Sequence, residues 1–195
     1  MPDAGRVIAG SARSIRLEAA GSGTRPLADR VKQTLFAILE PDLPGSRFLD
    51  LFAGSGAAGI EALSRGAVHA TFVDHDAKAV TAIRANLART RFADAGRATV
   101  VRAEARAWLA TLDDATRFDL ALVDPPYDQP DELTSALEAL GRHVRSGARV
   151  VAKHFWRSAP PASIGLLASE RERRFGETVL TFYRRRDDGT GTEGA

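Results

Sequence analysis

The four residues Asp124-Pro125-Pro126-Tyr127 form the most specific chemical motif in this chain of 195 residues. The two prolines fix their φ angles and lack N–H groups, so the backbone at these positions offers only carbonyl acceptors. The Asp124 carboxylate adds a further acceptor, and the Tyr127 ring offers a flat face for stacking. A planar base with an exocyclic amino group would have both amino protons accepted and its ring stacked. The motif therefore predicts a site that orients such an amine for attack by its nitrogen; a plain proline-rich turn is the alternative.

Acidic residues stand at or just after the ends of four successive apolar segments that have the character of buried strands. These residues are Asp50, Asp74, Glu104 and Asp124. Ligands of open α/β sheets bind beyond the carboxyl ends of the strands, so the four side chains are expected in one crevice. Each acid could instead cap the helix that follows its strand. Because four carboxylates in one crevice repel one another, the pattern predicts a positively charged group between them.

A glycine-rich turn, Gly54-Ser55-Gly56-Ala57-Ala58-Gly59, follows the first of these strands and formally matches the dinucleotide-binding pattern. Asp74 lies twenty residues after Gly54, where an acid that binds ribose hydroxyls is expected. A dinucleotide would bring its pyrophosphate to the helix N-terminus. Asp50, at the mouth of the preceding strand, is poorly suited to that anion. A nicotinamide-dependent oxidoreductase is nevertheless the rival class of enzyme that the turn alone allows.

Asp50 favours a different cofactor, because a carboxylate at this place suits an ammonium group. S-adenosylmethionine carries an ammonium and a sulfonium group and no phosphate. We therefore predict S-adenosylmethionine as the cofactor, with Asp50 at its ammonium group and Asp74 at its ribose hydroxyls. Glu104 is predicted at the adenine, either in direct contact or through water.

The elements that must position these residues alternate between strands and helices. Apolar segments predict strands at 47–52, 70–74, 98–103, 118–124 and 148–154. Helices are predicted at 27–39, from the glycine turn to about 65, and at 77–91, 105–112 and 130–144. This alternation predicts an α/β fold with a mostly parallel, seven-stranded sheet and helices on both faces. Antiparallel hairpins are predicted before it, at 6–17, and at its end, at 173–184.

The net charge of +2 is unevenly distributed along the chain. Residues 1–32 carry +3, residues 33–140 carry −6, residues 141–186 carry +8 and residues 187–195 carry −3. An acidic centre between two basic segments suggests a cation site beside a surface for a polyanion; ordinary solvated charge is the alternative. We predict a basic hairpin and loop at 1–26, one α/β domain at 27–186 and a disordered acidic tail at 187–195.

The composition excludes several classes of protein. The chain has no cysteine, which rules out disulfide scaffolds, thiolate metal sites and cysteine nucleophiles. Its four histidines lack close metal-ligand spacing, so we expect no metal. The sequence has no run of about 18 apolar residues and no signal-peptide pattern at its start, so we expect no membrane span and a cytoplasmic protein. A monomer is the default expectation.

These motifs together resemble those of the class I S-adenosylmethionine-dependent methyltransferases, which implies a Rossmann-like fold. Residues 50–56, Asp-Leu-Phe-Ala-Gly-Ser-Gly, are similar to their first motif, Asp74 to their second acidic position, and residues 124–127 to their amino-methylating motif. Over residues 6–184 the chain more closely resembles the RsmD family of ribosomal RNA guanine-N2 methyltransferases. The stretches behind this closer resemblance include Arg6-Val7-Ile8-Ala9-Gly10, Gly23-Thr24-Arg25-Pro26 and Glu177-Thr178-Val179-Leu180. Glu104 departs from the pattern, where Asp is more usual.

The resemblance implies methyl transfer to the 2-amino group of a guanine in small-subunit (16S) ribosomal RNA, as free RNA or in an assembly particle. It implies catalytic roles for Asp124, Pro125, Pro126 and Tyr127. The implied cofactor site comprises Asp50, Phe52, Ala53, Gly54, Ser55, Gly56, Asp74, His75, Glu104, Ala105 and Asp124. Cations expected at RNA phosphates are Arg6, Arg13, Arg16, Arg25, Arg30, Lys32, Lys153, Arg157, Arg173 and Arg174. The alternatives are an amino-methyltransferase for DNA adenine or protein glutamine, and a non-catalytic RNA-binding protein on the same fold.

Overall fold

The computed structural model describes residues 3–21, 28–93 and 96–187 of the chain. An antiparallel hairpin opens it, formed by β1 (Asp3–Arg6) and β2 (Arg16–Glu18). The helices are α1 (Asp29–Leu39), α2 (Ala57–Ser64), α3 (Ala77–Arg89), α4 (Ala105–Leu109) and α5 (Pro130–Leu140). The remaining strands are β3 (Arg47–Leu51), β4 (His69–Asp74), β5 (Ala98–Arg102), β6 (Phe118–Val123), β7 (Val144–Phe155), β8 (Ser163–Ile164), β9 (Leu167–Phe175) and β10 (Thr178–Arg185). Short 3-10 helices at Glu40–Asp42 and Gly141–His143 follow α1 and α5.

One sheet carries the strands in the order β5-β4-β3-β6-β7-β10-β9-β8. Strands β5, β4, β3, β6 and β7 run parallel, and β10, β9 and β8 continue the sheet in antiparallel pairs. Strand β3 has β4 on one side and β6 on the other, so the order reverses at this point. Such a reversal opens a crevice at the carboxyl ends of the two central strands. Asp50 near the end of β3 and Asp124 just after β6 are therefore neighbours at this crevice.

Two apolar cores cover the two faces of the sheet. Phe48 of β3 packs into one core, whereas Leu49 and Leu51 pack into the other. This separation follows from the alternation of side chains along a strand. The first core contains residues of α1, α2, α3 and the N-terminal hairpin, and the second contains residues of α4 and α5. The sheet is therefore covered by helices on both sides, as the sequence predicted.

Helix α3 begins where its sequence indicates. The Asp76 carboxylate accepts a hydrogen bond from the backbone N–H of Lys78 at 2.9 Å and so caps the helix. Val80, Ile83 and Leu87 recur at helical spacing and are buried. Their packing fixes α3 beside the sheet and sets the position of the short loop between β4 and α3, which enters the site described below.

The N-terminal hairpin is fastened to α2 by a buried acid. Glu61, which is fully buried, accepts hydrogen bonds from the backbone N–H groups of Ile8 at 2.7 Å and Ala9 at 3.0 Å. The guanidinium of Arg65 donates to the same carboxylate at 2.8 Å. The charge of Glu61 is thus compensated, and the hairpin has a fixed place against the body of the molecule.

Several predicted boundaries need correction. The sheet has eight strands rather than seven, because Ser163–Ile164 pairs with the start of β9; two residues are too few to show strand alternation. Strand β7 begins at 144 rather than 148, and β9 at 167 rather than 173. Most of the segment 6–17 is the loop of the first hairpin rather than its strands. The predicted boundary at residue 26 and all of the tail except Asp187 lie outside the described residues, so the predicted division into segments stays a prediction.

Candidate active site

A cavity of about 880 Å³ opens at the carboxyl ends of the parallel strands. This volume is typical of sites for small molecules and cofactors. Its walls come from the loops after β3, β4 and β6 and from the ends of β7 and β10. Ala4, Ala19, Ala28 and Val31 of the N-terminal part supply a further wall. The cavity therefore lies where the carboxylates were predicted to converge.

The loop after β3 is held in an unusual backbone conformation. Phe52, Gly54 and Gly56 have φ angles of 62°, 55° and 75°. Glycine adopts such angles freely, whereas for a bulky residue such as Phe52 the cost is about 1–3 kcal/mol. Residues 52–55 all line the cavity. Strain of this kind persists where the surrounding structure enforces it, and it is common at ligand-binding sites.

Asp50 lies beneath this loop and is only 2% exposed. Its Oδ2 accepts a hydrogen bond from the backbone N–H of Gly59 at 2.8 Å. A Cβ on Gly59 would lie 2.2 Å from the Phe72 ring, so glycine lets α2 approach the sheet this closely. Burial raises the pKa of Asp50 to about 8; the Gly59 bond opposes this rise, and the carboxylates of Asp124 and Asp74 add to it. An acid in this state gains from a cationic partner, as an ammonium group would provide.

Asp74 connects the two loops that form the other half of the cavity. Its Oδ2 accepts from the backbone N–H of Gly54 and its Oδ1 from that of Asp76, at 2.8 and 2.9 Å. Each oxygen keeps a lone pair for another donor. Asp74 and His75 both line the cavity. The geometry thus leaves Asp74 able to accept from ribose hydroxyls while it holds the glycine turn in place.

The amine motif begins directly after β6. The backbone N–H of Asp124 donates to the carbonyl of Leu51 at 3.3 Å, which ties the motif to β3. The Pro126 carbonyl accepts from the backbone N–H of Gln129 at 3.1 Å and is therefore used within the turn. Among the described residues no group donates to the Pro125 carbonyl. This carbonyl is consequently available to a ligand, as its predicted role requires.

Lys153 on β7 lies against the motif and was not expected there. Its Nζ is 2.6 Å from Oδ1 of Asp124 and 4.9 Å from the centre of the Tyr127 ring. Burial raises the pKa of Asp124, and the Lys153 ammonium opposes that rise. The prediction that Lys153 contacts RNA phosphate is not supported, because its ammonium lies in the cavity and is already paired. The pairing depends on the register of β6 and β7, which the sequence alone did not reveal.

Tyr127 is held by its hydroxyl as well as by its ring. The hydroxyl oxygen lies 2.8 Å from Oγ1 of Thr178, the first residue of β10. The ring packs against Phe155, with the two ring centres 6.2 Å apart at an angle of 43°. Thr178 also lines the cavity, and sequence reasoning did not give it a role.

Three residues predicted for the cofactor site do not line the cavity: Gly56, Glu104 and Ala105. Gly56 supports the loop instead, since its backbone N–H donates to the carbonyl of Ala53 at 2.7 Å. Ala105 is buried in the second apolar core. Glu104 is exposed and precedes α4. The predicted contact of Glu104 with adenine is therefore not supported by the geometry.

Arg102, at the end of β5, lines the cavity in place of Glu104. Its Nε donates to the carbonyl of His75 at 3.2 Å, so it is positioned by the loop that follows β4. Its place at a strand end is a usable signal in the sequence, although Arg102 is a cation among strand-end acids.

The predicted RNA contacts divide into exposed and buried side chains. Lys32 is fully buried, its Nζ contacts the carbonyl oxygen of Arg6, and burial lowers its pKa. The prediction for Lys32 is wrong, because the hairpin packs over α1. Arg25 lies outside the described residues. The exposed cations are Arg6, Arg13, Arg16, Arg30, Arg157, Arg173 and Arg174. Arg6 and Arg16 form exposed ion pairs with Asp29 and Asp3, which contribute little to stability.

A group of aromatic and basic side chains extends outward from the amine motif. The Phe155 ring contacts Tyr127 on one side and lies 6.1 Å from the ring of Trp156 on the other. Trp156 is 36% exposed. The guanidinium groups of Arg157 and Arg174 lie over its ring, at 4.6 and 4.4 Å from the ring centre. An exposed ring beside two cations is an arrangement that nucleic-acid-binding surfaces use.

Comparison with known proteins decides the family. The profile of a family described as "Conserved hypothetical protein 95" matches residues 5–184. The chain belongs to this family. It is 38% identical to YlbH of Bacillus subtilis over 185 residues, which covers 93% of this chain and 99% of YlbH. It is 35% identical to ribosomal RNA small subunit methyltransferase D of Escherichia coli K12 over 189 residues, covering 94% and 91% of the two chains.

A solved structure of a similar protein has the same fold. YhhF of Escherichia coli matches with a TM-score of 0.79 and 33% identity, over 93% of this chain and 97% of that one. The predictions of a Rossmann-like methyltransferase and of S-adenosylmethionine as its cofactor are confirmed by membership of this family. Within the described residues, no group of acidic or histidine side chains is arranged to hold a metal ion. No described helix has the length and apolar character needed to cross a membrane.

Proposed function

We propose that this protein transfers a methyl group from S-adenosylmethionine to the 2-amino group of a guanine in small-subunit ribosomal RNA. One observation carries the proposal: the amine motif and the acids Asp50 and Asp74 face a single cavity. Methyl transfer requires a donor site and an acceptor site that meet at the reacting atoms. A non-catalytic protein on the same fold would not need the cofactor site and the amine motif to face the same cavity.

The acids of the cavity hold the cofactor in this proposal. Asp50 pairs with its ammonium group and Asp74 accepts from its ribose hydroxyls. When bound, S-adenosylmethionine supplies an electrophilic methyl group on a sulfonium. Phe52 follows Asp50 by two residues and lines the same cavity, so it offers an apolar surface beside the cofactor. The raised pKa of Asp50 and the cluster of carboxylates around it both favour a ligand with positive charge.

The amine motif holds the target base. The Asp124 carboxylate and the Pro125 carbonyl accept the two protons of the guanine amine, and Tyr127 stacks on the ring. The lone pair of this nitrogen is normally delocalised into the base. Accepting both protons would favour the pyramidal nitrogen of the transition state, in which the nitrogen–carbon bond forms as the carbon–sulfur bond breaks. The sulfur would leave as a neutral thioether, and one amino proton would then pass to solvent. The base has to be unpaired or flipped from its helix to enter the cavity.

The surface around Trp156 is the proposed binding surface for the RNA beside the target base. Leu180 of β10 pairs with Lys153 on one side and with Arg173 on the other, so the three side chains stand on one face of the sheet. Arg173 therefore lies two strands from Lys153, on the same face of the sheet. Exposed cations bind phosphates, and an exposed ring such as Trp156 can stack on an unpaired base. A ribosomal RNA substrate agrees with a cytoplasmic location for the protein. We also propose that the protein is a monomer.

An assay with purified components tests this function. Small-subunit RNA and small-subunit particles from cells that lack the protein are incubated with the protein and labelled S-adenosylmethionine. We expect label in N2-methylguanine of one of these substrates. Asp124→Ala removes a preorganised acceptor, so it should lower the initial rate of labelling by about two orders of magnitude or more. Label found instead in DNA adenine or protein glutamine would contradict the proposed substrate.

A further inference from the structure

Lys153 and Asp124 form an ion pair inside the cavity. Val123 of β6 pairs in register with Ala152 of β7, so Asp124 and Lys153 are the next residues on two neighbouring strands. Nζ lies 2.6 Å from Oδ1, and the two side chains are only 13% and 21% exposed. The pair is thus fixed by the sheet itself rather than by flexible surface chains.

The pair uses only one of the two carboxylate oxygens. Lysine is a donor and cannot accept, so it commits Oδ1 to its own ammonium group. Among the described residues no group donates to Oδ2, and Asp124 lines the cavity. Oδ2 is therefore the oxygen left for the amine of a target base.

We propose that Lys153 is a positioning residue for the methyl transfer. Its ammonium group fixes the Asp124 carboxylate so that Oδ2 accepts a hydrogen bond from the amine, and it balances the negative charge of that carboxylate. This inference rests on the proposed function, since it concerns how the acceptor for the amine is held. Lys153 also lies over the Tyr127 ring, so it contacts both side chains that would hold the base. Burial opposes the charge of Lys153, yet the neighbouring Asp124 raises its pKa.

Other charged groups around the cavity do not replace this ammonium. Asp50 and Asp74, from β3 and β4, are acids and cannot supply a positive charge to Asp124. His75, Asp76 and Arg102 line the part of the cavity formed by β4 and β5. Thr178 of β10 and the lining residues of the N-terminal part carry no charge. Among the described residues, Lys153 alone forms an ion pair with Asp124.

This arrangement makes a specific prediction for Asp124→Asn. Lys153 would draw the amide oxygen to itself and turn the amide NH2 towards the target amine. A donor would then face a donor. Removing the lysine as well, in Asp124→Asn/Lys153→Met, frees the amide to turn its oxygen to the substrate, and no buried charge is left unpaired.

The proposal is tested by single-turnover rates, which are measured at saturating cofactor and RNA over a range of pH. We expect Lys153→Met to lower the rate about tenfold or more. The acidic limb of its pH–rate profile should move to higher pH by about one unit or more, because the lost cation no longer favours ionised Asp124. Lys153→Arg should retain more activity. The double variant should be about tenfold faster than Asp124→Asn, and Lys78→Met, an exposed lysine on α3, should match the unaltered protein.

Two results would overturn the proposal: an unshifted acidic limb in Lys153→Met, or a double variant no faster than Asp124→Asn. Should Lys153→Met fail to fold, the comparison of Asp124→Asn with the double variant still decides, since the double variant buries no unpaired charge. Cofactor affinity and melting temperature are measured for each variant. Absence of methylation by the unaltered protein would instead count against the proposed function.

Discussion

The hydroxyl of Tyr127 lies 2.8 Å from Oγ1 of Thr178 and ties the turn after β6 to the first residue of β10. Two elements far apart in sequence therefore meet at the proposed base-stacking position. A stacking role needs only the aromatic ring, but a ring in a loop must also be held at a fixed angle. This bond supplies that restraint, and the Phe155 ring supports it from the side.

Tyr127→Phe and Thr178→Val should each slow the single-turnover rate by about two- to tenfold, as expected for the loss of one neutral hydrogen bond. The double variant should be no slower than either single variant, because both remove the same bond. Tyr183→Phe is the matched control: its hydroxyl bonds to the Pro161 carbonyl at 2.8 Å, away from the cavity, and its loss should lower stability alone. Additive losses in the double variant would show that the bond does not position the ring.

Asp74→Ala should weaken binding of S-adenosylmethionine by about tenfold to a hundredfold, the usual cost of losing hydrogen bonds to a charged acceptor. The change removes both the ribose contact and the support of the Gly54 backbone. Titration calorimetry measures it, with Glu138→Ala, an exposed acid on α5, as the control. Unchanged affinity would remove Asp74 from the cofactor site.

Cofactor binding should release a proton at neutral pH. The pKa of Asp50 is raised to about 8, so this acid is mostly protonated at pH 7 in the free protein. An ammonium partner favours the ionised form, so binding at pH 7 should release protons, and affinity should rise with pH towards about 8. Above that pH an α-amino group loses its own charge and the rise should end. Calorimetry in two buffers of different ionisation enthalpy measures the release.

The Asp50→Asn variant provides the comparison for this proton release. Its amide cannot titrate, so binding to this variant should release almost no proton at pH 7. Equal release by the variant and the unaltered protein would place the titrating group elsewhere.

The surface around Trp156 should affect RNA binding in two distinguishable ways. Trp156→Ala should weaken RNA binding, by about 1–3 kcal/mol if one base stacks on it, and leave the salt dependence unchanged. Arg173→Gln with Arg174→Gln should lower both the affinity and the slope of affinity against salt, by about 1.4 for two phosphate contacts on single-stranded RNA. Filter binding at several salt concentrations separates the two effects.

The control for this surface is Arg142→Gln. Arg142 is exposed just before the amino end of β7, whereas the cavity lies at the carboxyl ends of the parallel strands. It should leave RNA binding unchanged, and all of these variants should bind the cofactor normally. An equal loss of RNA binding in Arg142→Gln would indicate a general charge effect rather than a defined surface.

The sequence could predict most of the fold because its signals are local. Each signal spans only a few residues: the apolar strands, the glycine turn and the acids at strand ends. Because ligand sites of open α/β sheets lie at the carboxyl ends of the strands, these segments are expected together there. Asp50, Asp74 and Asp124 line the cavity for this reason. The two-residue strand at Ser163–Ile164 had no such signal, since it exists only through pairing with β9.

Roles that depend on packing between distant segments could not be read in this way. In the sequence, Lys32 and Lys153 resemble ordinary surface cations. In the structure, Lys32 is covered by the hairpin, and strand register aligns Lys153 with Asp124. The position of Glu104 just after a strand suggested it as a cofactor ligand, but its side chain is exposed before α4 and does not line the cavity. Arg102, two residues earlier, reaches the cavity instead.

The most direct measurement of the central claim is mass-spectrometric mapping of methylated nucleotides in small-subunit ribosomal RNA. The RNA is taken from cells with and without the gene, and from deleted cells that carry either the unaltered gene or Asp124→Ala. The proposed function predicts that one N2-methylguanine disappears on deletion, returns with the unaltered gene and stays absent with Asp124→Ala. An identical set of N2-methylguanines in the small-subunit RNA of all four strains would contradict it.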